Sequence, residues 1–110
     1  MRNLLFVVFV ALAPFVKAQS IFSTQYESQA EVTVFVVDHE SQADLLVHKV
    51  KYASQAKGNE GHWYFVDYSS QADKKIFFVP YASQADIKIF FVDYESKAGW
   101  NNKKLIHHFY

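Results

Sequence analysis

The sequence predicts an all-β domain built from a 13-residue repeat, and three observations carry that expectation. Ser-Gln-Ala recurs at Ser28, Ser41, Ser54, Ser70 and Ser83, and Ser96-Lys97-Ala98 closes the series. The intervals are 13, 13, 16, 13 and 13 residues, and such a fixed period marks a repeat architecture. Between the anchors lie runs such as Lys75-Ile76-Phe77-Phe78-Val79 and Lys88-Ile89-Phe90-Phe91-Val92. They are short and rich in β-branched and aromatic residues, which suit a pleated surface better than a helix.

Residues 1–18 precede the repeat and read as a secretory signal. Arg2 supplies the positive end, Leu4 to Val16 is apolar, and Val16-Lys17-Ala18 leads to a cut before Gln19. The apolar run is too short to span a bilayer of ~30 Å as a helix. Export follows, either secreted or periplasmic, with no membrane span after cleavage. Cleavage removes Arg2 and Lys17, so 11 basic residues become 9 against 11 acidic ones, a net charge of −2. That balance lacks the basic patch of a nucleic-acid binder. The chain has no cysteine, so its stability rests on packing rather than on disulfides.

The remainder, 19–110, forms one domain with strands expected near 21–26, 32–39, 45–52, 62–68, 74–81, 87–94 and 104–110. A seven-stranded antiparallel meander, curled or closed into a barrel-like sheet, fits about eight strand residues and five turn residues per repeat. A small β-solenoid is the alternative, but a 13-residue coil of ~43 Å contour leaves little interior for rows of Phe and Tyr. The meander is therefore preferred. Alternation of side chains assigns Phe22, Phe35, His48, Tyr64, Phe77 and Phe90 to one face, continuing through Val37, Val79 and Val92. The opposite face holds Ile21, Val34, Val47, Trp63, Ile76 and Ile89 but ends polar at Gln25, Asp38, Lys51, Asp67 and Asp93. The first face is the better core by this reading.

The anchors carry Ser-x-x-Asp/Glu at Ser28/Glu31, Ser41/Asp44, Ser70/Asp73 and Ser83/Asp86, the pattern of a capping box. A single helical turn capped by Ser is expected at each. The long interval holds Lys57-Gly58-Asn59-Glu60-Gly61, read as an extended hairpin turn. Tyr26-Glu27-Ser28-Gln29-Ala30, Gly58-Asn59-Glu60-Gly61 before Trp63-Tyr64-Phe65-Val66, and Ser96-Lys97-Ala98-Gly99-Trp100 together resemble a family of short exported bacterial proteins. That family has tandem Tyr-Glu-Ser-Gln-Ala-Asp repeats and no established function. The resemblance covers essentially all of 19–110 and implies no activity.

Ser and Asp recur with the fold, whereas catalytic groups are single and specially placed, so no catalytic residue is assigned and the chain reads as a non-enzyme. His39 and His48 become diagonal neighbours if 32–39 pairs with 45–52, but they lack a third ligand and no metal site is assigned. No cofactor is expected. The leading functional reading is a non-enzymatic exported structural or interaction module of unknown partner, monomeric or a small closed oligomer. The alternative is a small-molecule or glycan-binding domain using Tyr26, Tyr52, Tyr68, Tyr81 and Tyr94 with Trp63 as an aromatic platform. Intact-mass measurement of exported protein should show a chain that begins at Gln19, and retention of Met1 to Ala18 would remove the export reading.

Overall fold

The structure is a computed structural model that describes residues 19–52 and 60–109; the expected signal segment lies outside them. Six short strands, β1 (Gln19–Ser23), β2 (Val32–Val36), β3 (Leu45–Lys49), β4 (His62–Phe65), β5 (Lys74–Phe78) and β6 (Ile87–Phe91), form a closed sheet. A two-residue β7 (Gly99–Trp100) joins β3. Strand existence and position agree with the sequence reading for the first six. The expected seventh strand at 104–110 is instead a 3-10 segment, Lys103–Phe109.

The antiparallel meander is wrong, and so is the solenoid. Around the barrel the order is β4-β1-β5-β2-β6-β3, closed by β3 against β4, and all six pairings are parallel. Only β7 runs antiparallel. Except from β3 to β4, each connection within the barrel skips one strand. The skipped strand lies beneath a 3-10 turn. Glu27–Gln29 lies on β5, Glu40–Gln42 on β6, Ser69–Gln71 on β1, Ala82–Gln84 on β2 and Glu95–Lys97 on β3. Parallel neighbours usually need a crossover of a dozen or more residues. Here steep stagger shortens the route.

The register shows how steep. Ile21 lies opposite Lys74, Ile76 opposite Val32, Val34 opposite Ile87, and Ile89 opposite Leu45. Each step around the barrel therefore climbs two residues. Two residues of ~3.3 Å against a strand spacing of ~4.8 Å tilt the strands by about 54°, beyond the usual 35–45°. A strand so inclined carries the chain sideways as it rises. The eight residues 24–31 are then enough to pass outside β5 and land parallel.

This stagger puts repeat-equivalent residues on one level. Ile21, Ile76, Val34, Ile89, Val47 and Trp63 form a ring inside the barrel, all essentially inaccessible to solvent. Below them Val32, Ile87 and Leu45 are also buried, with Gln19 beside them. The barrel interior is thus lined by the face opposite to the one expected, although Val37, Val79 and Val92 of the expected face are also buried. Phe22, Phe35, Phe77 and Phe90 point outward and are half-buried on strands crossed by the turns, which is why both faces read as apolar. The base is closed by the C-terminal segment. Phe109 packs on Trp63 and Trp100 at centroid distances of 5.3 and 6.0 Å, and its carbonyl accepts the Gln19 Nε2 bond at 3.5 Å. At the β4 place of this lower level stands Gly61, at φ 95°, where a Cβ would overlap the Leu46 carbonyl oxygen.

The capping box also fails. The residue before each turn is Tyr26, His39, Tyr68, Tyr81 or Tyr94, none with a side-chain cap bond, and Ser sits within the turn. The acid of the motif has a different task. Asp44 donates its N–H to the Lys88 carbonyl at 2.7 Å, and its Oδ2 accepts the Lys88 N–H at 2.9 Å. Asp73 does the same with Ser20, Asp86 with Thr33, and Glu31 with Lys75. Each acid clamps the strand that its own turn has just crossed. Two antiparallel neighbours, β2 and β3, would also have joined His39 to His48; β6 separates them instead. His48 Nδ1 lies 3.2 Å from the Val92 carbonyl.

Removing one clamp leaves a strand N–H without its charged acceptor. Asp44→Ala should therefore cost about 1–3 kcal/mol. Ser41→Ala, at an exposed turn position, should stay within about 0.5 kcal/mol of the parent. Urea denaturation of both variants checks the contrast, and a larger loss at Ser41 would restore capping by Ser.

Candidate binding surface at the barrel rim

Three residues beyond the end of each barrel strand stand Tyr26, His39, Tyr52, Tyr68, Tyr81 and Tyr94. The ladder still holds the chain at Thr24, whose N–H donates to the Ile76 carbonyl at 2.8 Å, and likewise at Val37, Val50, Val66, Val79 and Val92. The next residues leave the sheet. Tyr26 is extended, and its carbonyl accepts the Gln29 N–H and the Thr24 hydroxyl, which starts the turn. Tyr68, Tyr81 and Tyr94 start the later turns in the same way.

The five tyrosines are 62–68% exposed, so the side chains stand out from the rim rather than forming a buried edge. Taken in barrel order they read Tyr26, Tyr81, His39, Tyr94, Tyr52 and Tyr68, a crown spaced by the strands below. Beside them the described turns present exposed Glu27, Ser28 and Gln29, and their equivalents at 40–42, 69–71, 82–84 and 95–97. Trp63 is not part of this surface. It is 1% exposed in the middle ring, with Phe65 edge-on at 6.0 Å, and it serves the core.

Inside the crown, the uppermost inward level holds Ser23, Phe78, Val36, Phe91, Lys49 and Phe65. Unlike the base, this end has no described segment across it, and Val36 is 40% exposed. Lys49 Nζ sits 4.9 Å from the Phe91 ring centroid and 5.8 Å from that of Phe65, within cation–π range. Sequence reasoning overlooked Lys49. Its signal was the one cation at a position where other repeats carry Ser, Val or Phe. Among the described residues no cluster of three or more His, Cys, Asp or Glu is placed to hold a metal ion. His107 and His108 stack at 4.2 Å between centroids within the terminal 3-10 segment, rather than on opposite faces of a strand.

The interlaced connections bear directly on kinship. Turns between β1, β2 and β3 pass outside β5 and β6, while turns after β4, β5 and β6 pass outside β1, β2 and β3. Residues 18–101 match the family described as the 7(1) septoil knot domain. The chain belongs to the septoil knot domain family. The mutual overpassing of its two laps is the kind of interlacing that name denotes. No curated protein and no solved structure matches the chain. No helix among the described residues of this septoil knot domain is long and apolar enough to cross a membrane.

The exposure difference is directly measurable. Brief nitration with tetranitromethane, followed by peptide mapping, should modify the five crown tyrosines before the half-buried Tyr64. Trp63 should remain shielded from acrylamide in the same folded protein. Early nitration of Tyr64 alone would contradict the crown.

Proposed function

We propose that this septoil knot domain is a non-enzymatic interaction module, exported after loss of residues 1–18, that meets a hydroxyl-rich polymer through its tyrosine crown. The observation that carries this reading is the 62–68% exposure of five tyrosines at equivalent rim positions. A large amphipathic ring held in water at five repeat positions contributes little to the core. Its face can cover apolar C–H surface, and its hydroxyl can exchange hydrogen bonds. Beside Tyr26, Tyr68 and Tyr81 the turns add exposed Ser and Gln side chains, and beside Tyr94 they add Glu95, Ser96 and Lys97.

The acids that recur most regularly support a non-catalytic reading. Glu31, Asp44, Asp73 and Asp86 accept strand N–H groups through their carboxylates, so the fold itself uses them. The crown repeats one contact several times around a closed ring. Such an array favours a repetitive partner, because linked weak contacts raise avidity without any strong single site. A polysaccharide has that repetition, together with alternating apolar and hydroxyl surfaces.

Co-sedimentation with insoluble cellulose, chitin and peptidoglycan tests the reading. The parent domain should be retained by at least one polymer. The double variant Tyr81→Ala/Tyr94→Ala should lose about tenfold or more in apparent affinity, since each lost contact is multiplied in an avid array. Retention by none of the three, or unchanged retention of the variant, would overturn it.

A further inference from the structure

We propose that Gln19 is a modification site whose fate is set by folding: in the open chain it cyclises to pyroglutamate, and the closed barrel keeps it as glutamine. This rests on the export reading above, since cleavage after Ala18 is what gives Gln19 a free α-amine. An N-terminal glutamine reacts with itself. The neutral amine attacks Cδ of its own side chain, and the new N–Cδ bond replaces the Cδ–Nε2 bond. One proton passes from the α-nitrogen to the departing nitrogen, ammonia leaves, and a five-membered lactam remains. The step involves no oxidation or reduction and uses no co-reactant.

Packing does not account for a glutamine at this place. Other repeats put Val32, Leu45 and Ile87 at the same level, all buried. Gly61 and Lys74 complete it, and Lys74 pairs with Glu31 at 3.9 Å. Gln19 is 5% exposed, and its Oε1 is buried without a hydrogen-bond partner among the described residues. An acceptor buried unpaired costs stability that a valine in the same place would not. What sets glutamine apart from its apolar equivalents is the reactivity of its amide toward an adjacent amine.

The fold opposes the reaction through both the backbone and the side chain. β1 is paired on both sides, and its first residue lies opposite Trp63 of β4, so the backbone of Gln19 belongs to the closed sheet. Alternation along the strand sends the Gln19 side chain inward, as it does Ile21. There Nε2, the leaving group, donates to the Phe109 carbonyl at 3.5 Å. Phe109 is itself buried against Trp63 and Trp100. None of these contacts involves residues 1–18, so they survive the cut. To cyclise, Cδ must curl onto the α-nitrogen of its own residue, which withdraws the amide from the base and breaks its bond to Phe109. Reaction therefore waits for local opening at the start of β1. The lactam has no NH2 group to offer Phe109, so a chain that cyclised before folding closes its base less firmly. Gln19 thus records whether the barrel closed promptly after cleavage.

The rate of ammonia loss tests this on the chain 19–110, released from a fusion by a protease that leaves Gln19 first. Peptide mapping should show cyclisation at least about tenfold slower in native buffer than in guanidinium chloride, because only opened molecules react. The free peptide of residues 19–23, which has no barrel to protect it, should cyclise within about twofold in the two solutions. Phe109→Ala should speed cyclisation in native buffer about threefold or more, whereas Tyr81→Ala, at the other end of the barrel, should leave it within about twofold. Equal native and denatured rates in the parent would overturn the proposal, and that comparison stands whether or not Phe109→Ala folds. An unchanged native rate in folded Phe109→Ala would equally overturn it. Since the fusion supplies the cut, none of these outcomes depends on export. Exported protein that does not begin at Gln19 would instead remove the export reading and the proposal with it.

Discussion

A six-place barrel wound with a stride of two places closes on itself after three strands. A third step of the same stride would set β4 on top of β1. The chain must therefore change stride once, and it does so between β3 and β4, which are direct neighbours. That step occupies the one 16-residue interval of the repeat. Much else follows from it. The second lap drops into the gaps left by the first, and the described turns of each lap roof strands of the other. Gly61 belongs to the same event. It enters β4 where the chain passes close to Leu46 and Gly99, at a positive φ that other residues seldom adopt.

The steep stagger that makes short parallel connections possible has a cost at the strand starts. Parallel ladders are offset, so the first residues of a strand reach below the strand that lands beside it. Their N–H groups need acceptors that the ladder alone does not supply. The recurrent acid meets that need with two bonds to one residue, an arrangement equivalent to one extra rung. A carboxylate is a stronger acceptor than a neutral group, which suits a position open to water on one side. These clamps also fix where each turn lands, so local bonding enforces the global winding.

The two ends of the barrel then diverge. Phe109 and Trp100 seal the base, where Gly61 leaves the β4 place without a side chain. At the opposite end Phe65 and Phe91 flank Lys49, and the chain leaves through the tyrosines. Exposed aromatic surface gathers at this end, where the five tyrosines stand in solvent.

The sequence alone determined the repeat, its period and the six strand positions, because β-propensity and spacing are local properties. Closure into a barrel was a reasonable expectation on the same grounds. Strand direction was not, since a short apolar run followed by a tight turn reads alike in parallel and antiparallel sheets. Nor was the core face. Ile21 and Phe22 sit on opposite faces, yet both are shielded, one by the barrel and one on a strand crossed by a turn, so alternation gave two plausible interiors. Trp63 and the tyrosines looked like one aromatic set for the same reason, and only the ring levels parted the buried indole from the exposed phenols. The Ser-x-x-Asp pattern was visible, but its acid answers a strand that lies 44 or 53 residues away in the chain. Tertiary structure decided these matters because each depends on which distant strand lies alongside, and no local pattern encodes that neighbour.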